Sequence, residues 1–212
     1  MSNEAKILTA ILVVVVGGMI GLFALAGGGG DPAPVGDKSK IIRDNSYKTG
    51  SGDIQLVEFG DYQCPACGSV HPTIKQLLKD YEGKITFYFR NFPLTNIHKN
   101  ALAGAEAAEA AGAQSKYWEM HDKLYETQKD WSDLADPTDV FVGYAKDLGL
   151  DADKFKTEIV AKKYQTIIDQ DAADATALNV QATPTFFFNG EQYTGNSSYA
   201  SLRDEVEKRL KK

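Results

Sequence analysis

Two cysteines three residues apart, at what reads as a strand-to-helix turn, constrain this chain more than any other feature. Cys64-Pro65-Ala66-Cys67 contains the only cysteines among 212 residues. Before it, Ile54-Gln55-Leu56-Val57-Glu58-Phe59 has the apolar content of a buried strand, and after it the pattern is helical to about Tyr81. Cys64 then falls at the helix N-terminus, where unpaired N–H groups and the positive end of the dipole favour a negative sulfur. Pro65 takes the first helical position, where its fixed φ fits. Two cysteines exclude a multi-disulfide scaffold, so the fold must rest on an apolar core. At 43% hydrophobic residues the chain can build one of domain size.

The pair has three chemical readings. A metal site would need two more ligands from His71, His98 and His121, but no second C-x-x-C or H-x-x-x-H accompanies it. A structural disulfide would close too short a loop to stabilise much. Redox chemistry fits best: Cys64, the more exposed and acidic thiol, exchanges with a substrate, and Cys67, one turn on, resolves the mixed disulfide. Glu58 is a carboxylate inside an apolar strand, and it points either to solvent or inward beneath the turn. In the second case desolvation raises its pKa and suits it to move a proton to or from Cys67. The three histidines otherwise read as packed or surface residues.

The chain is organised asymmetrically. Residues 1–6 lead into Ile7–Ala26, an uncharged apolar run of bilayer-spanning length, which reads as a transmembrane anchor. The alternative is a signal peptide cleaved after Ala24-Leu25-Ala26, and in either case the following domain faces outward. Residues 27–45, with Gly27–Gly30 and Asp31-Pro32-Ala33-Pro34, form a tether. A folded domain over 46–212 begins with the strand and motif helix and continues with a second strand at Lys84–Phe89. Helical periodicity covers about 96–179, broken near Gly112, Asp136-Pro137 and Gly149, which predicts four or five inserted helices. Pro184–Phe188 reads as a strand, Asn189-Gly190 as a hairpin turn, and Leu202, Val206 and Leu210 as one face of a last helix. Pro184, lacking a donor, belongs at a strand start. The order predicts an α/β fold with a helical insertion.

Net charge of −6 argues against a nucleic-acid partner, and the basic end, Lys208 to Lys212, complements a helix dipole. Tyr117, Trp118, Met120, Leu124 and Tyr125 are spaced as helix core, with a substrate groove as the lesser alternative. Asp151-Ala152-Asp153 lacks the glycine and glutamate of a calcium loop and reads as an N-cap. Asn196-Ser197-Ser198 fits a glycosylation acceptor but reads as a turn before the last helix.

Taken together, these residues resemble the thioredoxin superfamily, and within it the DsbA-like branch. LVEFGDYQCPAC at 56–67, Pro72 in the motif helix and TPTFFFNG at 183–190 resemble its active-site segments. FRNFPL at 89–94, His98, the Ala-rich helix to Gly112 and YWEMHDKLY at 117–125 resemble its helical insertion. The resemblance implies a thioredoxin fold with a DsbA-type insertion behind a single N-terminal transmembrane helix. It implies Cys64 as nucleophile, Cys67 as resolving thiol, Glu58 as the buried acid, and Pro184 as a cis-proline facing the disulfide. Thr183, Pro65 and Ala66 would meet the substrate. Ala66 stands where strongly oxidising members carry histidine, which predicts a less acidic Cys64 than theirs. The implied activity is disulfide donation to exported proteins as they fold, with a reductase, an isomerase or a non-catalytic peptide-binding module as alternatives. No dissociable cofactor is expected beyond the Cys64–Cys67 disulfide. The implied partner is a quinone-linked membrane oxidase of the DsbB or vitamin-K-epoxide-reductase type.

Overall fold

β-Branched and aromatic side chains on both sides of the backbone make the strand after residue 53 a central one. In the computed structural model, which describes residues 37–211, β2 (Ile54–Gly60) is buried along its length except at Gln55. It runs parallel to β3 (Ile85–Asn91) and antiparallel to β4 (Thr185–Phe188). The edges are β1 (Lys48–Gly50), antiparallel to β3, and β5 (Glu191–Gln192), antiparallel to β4, giving the order β1-β3-β2-β4-β5. Asn189 and Gly190 take positive φ, 49° and 78°, in the β4–β5 turn, as an Asn-Gly hairpin requires.

Helix α1 (Pro65–Asp80) is the crossover between the parallel strands, and Pro72 lies inside it. Between β3 and β4 come six helices: α2 (Ala101–Gly112), α3 (Tyr117–Glu126), the single turn α4 (Gln128–Trp131), α5 (Thr138–Asp147), α6 (Ala152–Val160) and α7 (Gln165–Ala177). The expected four or five become six because Thr127 separates α4 from α3 with no Gly or Pro to mark the break. Helix α8 (Tyr199–Leu210) closes the chain with Lys208 and Arg209 in its last turn. Asp151 caps α6 by accepting from Lys154 N at 2.9 Å, and Asn196 Oδ1 accepts from Ser198 N at 3.0 Å in the turn before α8.

Strand periodicity sorts the core into two layers. Ile54 and Leu56 of β2, with Phe87 and Phe89 of β3, face α1, α8 and the insertion, while Val57, Phe59 and Tyr88 face α7 and Ile41. Helix α2 is buried nearly all round, which its alanines permit. A Cβ at Gly104 would come within 3.1 Å of Tyr62 Cβ and 3.3 Å of Trp131, so glycine lets α2 approach the loop leading to Cys64. Trp131, fully buried, donates its indole N–H to Leu124 O at 3.0 Å.

The edge strand β1 was not expected, and its exposed polar residues explain why no periodicity announced it. The expected anchor at 7–26 and residues 27–36 of the expected tether at 27–45 lie outside the described residues; residues 37–45 are packed onto the domain, with Ile41 2% exposed in the core and Arg43 paired to Asp174. Among the described residues no helix is long and apolar enough to cross a membrane.

Candidate active site

The loop from β2 to α1 is built to hold Cys64 at a helix start. Asp61 ends the strand with an Asx turn: its carboxylate accepts from Gln63 N at 2.8 Å and Leu94 N at 2.9 Å, and lies 2.6 Å from His98 Nδ1. Its carbonyl accepts from Cys64 N at 3.0 Å. From the insertion, Gln128 Nε2 donates to the carbonyls of Tyr62 at 2.8 Å and Cys64 at 3.0 Å. Cys64 is therefore fixed as the N-cap of α1, with Pro65 at the first helical position.

Both thiols are free, with Cys64 7% exposed and Cys67 fully buried. The Cys64 pKa falls from 9.0 to about 5. A hydrogen bond from the Cys67 thiol contributes most, against the opposing effect of burial, and the N–H groups of Cys67 and Ala66 add to it. Cys67 is pushed well above 9.0 by burial first, then by its hydrogen bond to Cys64 and the charges of Glu58 and Cys64. The two thiols thus divide into a thiolate at neutral pH and a protonated partner.

Glu58 continues the parity of Ile54 and Leu56, so it lies on the α1 side of β2. Because both faces of β2 are covered, the inward reading holds: Glu58 is 3% exposed, and its Oε1 has no hydrogen-bond partner. Burial, and then the Cys64 charge, raise its pKa from 4.5 to about 8. A raised acid stabilises the fold fully below its unfolded pKa and loses that stabilisation as pH rises through the folded value. Wild-type stability should therefore decline between pH 4.5 and about 8 relative to a Glu58→Gln variant, by roughly 3–5 kcal/mol in all. Denaturant melts of both proteins at pH 4 and pH 9 measure this, and parallel pH curves would contradict it.

Across from the motif, the Thr183-Pro184 bond is cis and Cys64 Sγ stands 3.4 Å from the Thr183 carbonyl oxygen. Pro184 is half-buried just before β4, while Pro65 and Ala66 are exposed at the start of α1. Cys64, Cys67, Glu58, Thr183 and Pro184 therefore converge, with Pro65 and Ala66 on the open rim. The histidines do not join them: His98 pairs with Asp61, and His71 lies against Asp122 on α3. Met120, Leu124, Tyr117 and Tyr125 are core residues, as their spacing suggested.

Sequence reasoning missed Asp61, His98 and Gln128, the residues that fix the loop. Asp61 carried a usable signal, an aspartate three before the N-cap of a helix. Gln128 carried none, because its role depends on the tertiary placement of α4.

The thioredoxin family profile matches residues 51–208. A probable disulfide bond formation protein D of Bacillus cereus is 32% identical over 166 residues, 75% of each chain. A Na+/H+ antiporter of Salinispora arenicola is 38% identical over 164 residues, covering 77% of this chain, which spans only 24% of that protein's length. The solved thiol-disulfide exchange protein alpha-DsbA2 of Wolbachia pipientis superposes with a TM-score of 0.69 at 25% identity, over 81% of this chain and 90% of that one. The chain belongs to the thioredoxin family, among its DsbA-like thiol-disulfide oxidoreductases.

Proposed function

We propose that the protein introduces disulfides into exported proteins by dithiol–disulfide exchange through Cys64 and Cys67. The observation that carries this reading is the placement of the pair: Cys64 at the N-cap position of α1, 3.4 Å from the Thr183 carbonyl oxygen beside the cis-proline, with Cys67 fully buried one turn on. In the oxidised form a substrate thiolate attacks Cys64 Sγ, the Cys64–Cys67 bond breaks, and Cys67 leaves and takes up a proton. Glu58, with a pKa of about 8, is the acid that supplies it. A second substrate thiolate then attacks the substrate sulfur of the mixed disulfide and expels Cys64 as a thiolate. Two substrate thiols become one disulfide, and two electrons pass to the cysteine pair, so no dissociable cofactor takes part.

The Thr183 backbone beside Pro184 receives an extended substrate segment, with Pro65 and Ala66 as the remaining contact surface. Reoxidation falls to a quinone-linked membrane oxidase of the DsbB or vitamin-K-epoxide-reductase type. Residues 7–26 hold the enzyme in the cytoplasmic membrane with the catalytic domain outside, unless cleavage near Ala26 releases it. Support for this placement is the uncharged apolar run itself.

A depressed Cys64 pKa stabilises the reduced form and makes the disulfide more oxidising. From 9.0 to about 5, the gain at pH 7 is about 2.7 kcal/mol, or about 60 mV for two electrons. The pair should therefore equilibrate on the oxidising side of thioredoxin's about −270 mV. Thiolate absorbance of the reduced protein should show a midpoint near pH 5. A potential at thioredoxin's value, with a thiolate midpoint near 9, would replace the oxidase by the reductase or isomerase alternative.

A further inference from the structure

One turn beyond Cys67 on α1, His71 meets two neighbours on α3, His121 and Asp122. One ligand atom from each lies within 4.8 Å of the others. The three share a cavity of about 210 Å³ with Thr49, Phe87 and Trp118. His71 is 5% exposed, and its Nε2 has no aligned hydrogen-bond partner although it stands 3.2 Å from Asp122 Oδ1. From this arrangement we propose that His71, His121 and Asp122 bind a divalent transition metal of the zinc class.

The spacing suits the chemistry. Two ligands about 2.0–2.1 Å from a tetrahedral metal stand about 3.3–3.4 Å apart, close to the separation of His71 Nε2 and Asp122 Oδ1. From the 4.8 Å bound, the His121 nitrogen closes in by up to about 1.4 Å on binding. Two imidazoles and a carboxylate, with a fourth position open to the cavity, match borderline metals such as Zn2+ and not the all-oxygen preference of Ca2+ or Mg2+.

The surrounding groups support the same assignment. His121 Nδ1 faces Tyr62 Oη at 3.0 Å, and Tyr62 Oη lies 3.3 Å from Tyr117 Oη. Coordination through Nε2 makes His121 the Nδ1–H tautomer, donating to Tyr62, which donates in turn to Tyr117. Such outer-shell hydrogen bonds orient metal-binding imidazoles. Lys75 takes Asp122 Oδ2 at 2.8 Å and leaves Oδ1 for the metal. The bound ion would clamp the active-site helix to the insertion without using either cysteine.

The test uses the full chain in detergent, oxidised so that the Cys64–Cys67 disulfide cannot compete for metal. Calorimetric titration with Zn2+, and d–d absorption with Co2+ as the probe, should show one ion per chain. At a hundredfold excess over Kd the melting midpoint should rise by roughly 5–10 °C. Asp122→Asn, at a partly exposed position, should weaken binding at least tenfold while the fold is kept, and His121→Ala should abolish it. A Cys64→Ser/Cys67→Ser protein should bind as the wild type does. No binding up to millimolar Zn2+, wild-type affinity in Asp122→Asn, or loss of binding in the double cysteine variant would each overturn the proposal.

Discussion

Replacing Cys64 by alanine is expected to lower disulfide exchange by at least about 10⁴-fold, because no other group near the turn is a nucleophile at neutral pH. Cys64, with a pKa near 5, is about 99% thiolate at pH 7, whereas Cys67, pushed well above 9.0, is almost wholly protonated and fully buried. The two alanine variants should therefore differ in kind. Neither can carry the enzyme disulfide, so both lose oxidation of a dithiol peptide. Cys67→Ala still attacks a probe disulfide through its Cys64 thiolate, releasing one probe thiol. With no second thiol to resolve it, the mixed disulfide accumulates, and intact-mass measurement reads it as a one-probe adduct. Cys64→Ala should form no such adduct on the same timescale. Equal adduct rates in the two variants would mean that the order of the cysteines has been assigned wrongly.

How much of this was legible in the sequence depends on the range of the interactions. The placement of Cys64 and Pro65 followed from helix-terminus physics alone, because N-cap geometry is decided within four residues. Glu58 needed one further fact, whether β2 is covered on both faces; its apolar neighbours allowed that without requiring it. The meeting of Thr183 and Pro184 with Cys64 spans more than a hundred residues of sequence. No local pattern encodes such a distance, so only the resemblance could anticipate it. Gln128 and the pairing of His71 with Asp122 lie beyond both routes, since each depends on how the insertion helices lie against α1. The edge strand β1 went unread for the opposite reason: a short, exposed, polar strand carries no hydrophobic period.

Loss of Arg90 should have the largest effect on stability, about 3–5 kcal/mol. Arg90, on β3, is fully buried beneath the sheet face opposite α1. Its Nε donates to Asp171 Oδ1 at 2.8 Å and its Nη2 to Asp174 Oδ2 at 2.8 Å, both on α7. Nη1 donates to the carbonyls of Lys40 and Ile41 at 3.0 and 2.9 Å, while the guanidinium lies 5.3 Å from the centre of the Phe59 ring. One side chain thereby joins the last insertion helix, the segment before β1 and the strand beside the active-site strand. Arg90→Met keeps much of the volume but leaves Asp171 buried with only the Asn91 N–H among these donors, at 3.0 Å, and strips two carbonyls of their donors. Asp174 retains Arg43, so the penalty concentrates on Asp171. The melting midpoint should fall by roughly 6–20 °C. The sign of a second substitution separates an unpaired-charge penalty from lost packing: adding Asp171→Asn to Arg90→Met should recover part of the loss. If the double variant melts below Arg90→Met, the network contributes through packing and the buried charge is not the cause. Arg90→Lys should recover little, because an ammonium cannot span two carboxylates and two carbonyls with the fixed fork of a guanidinium.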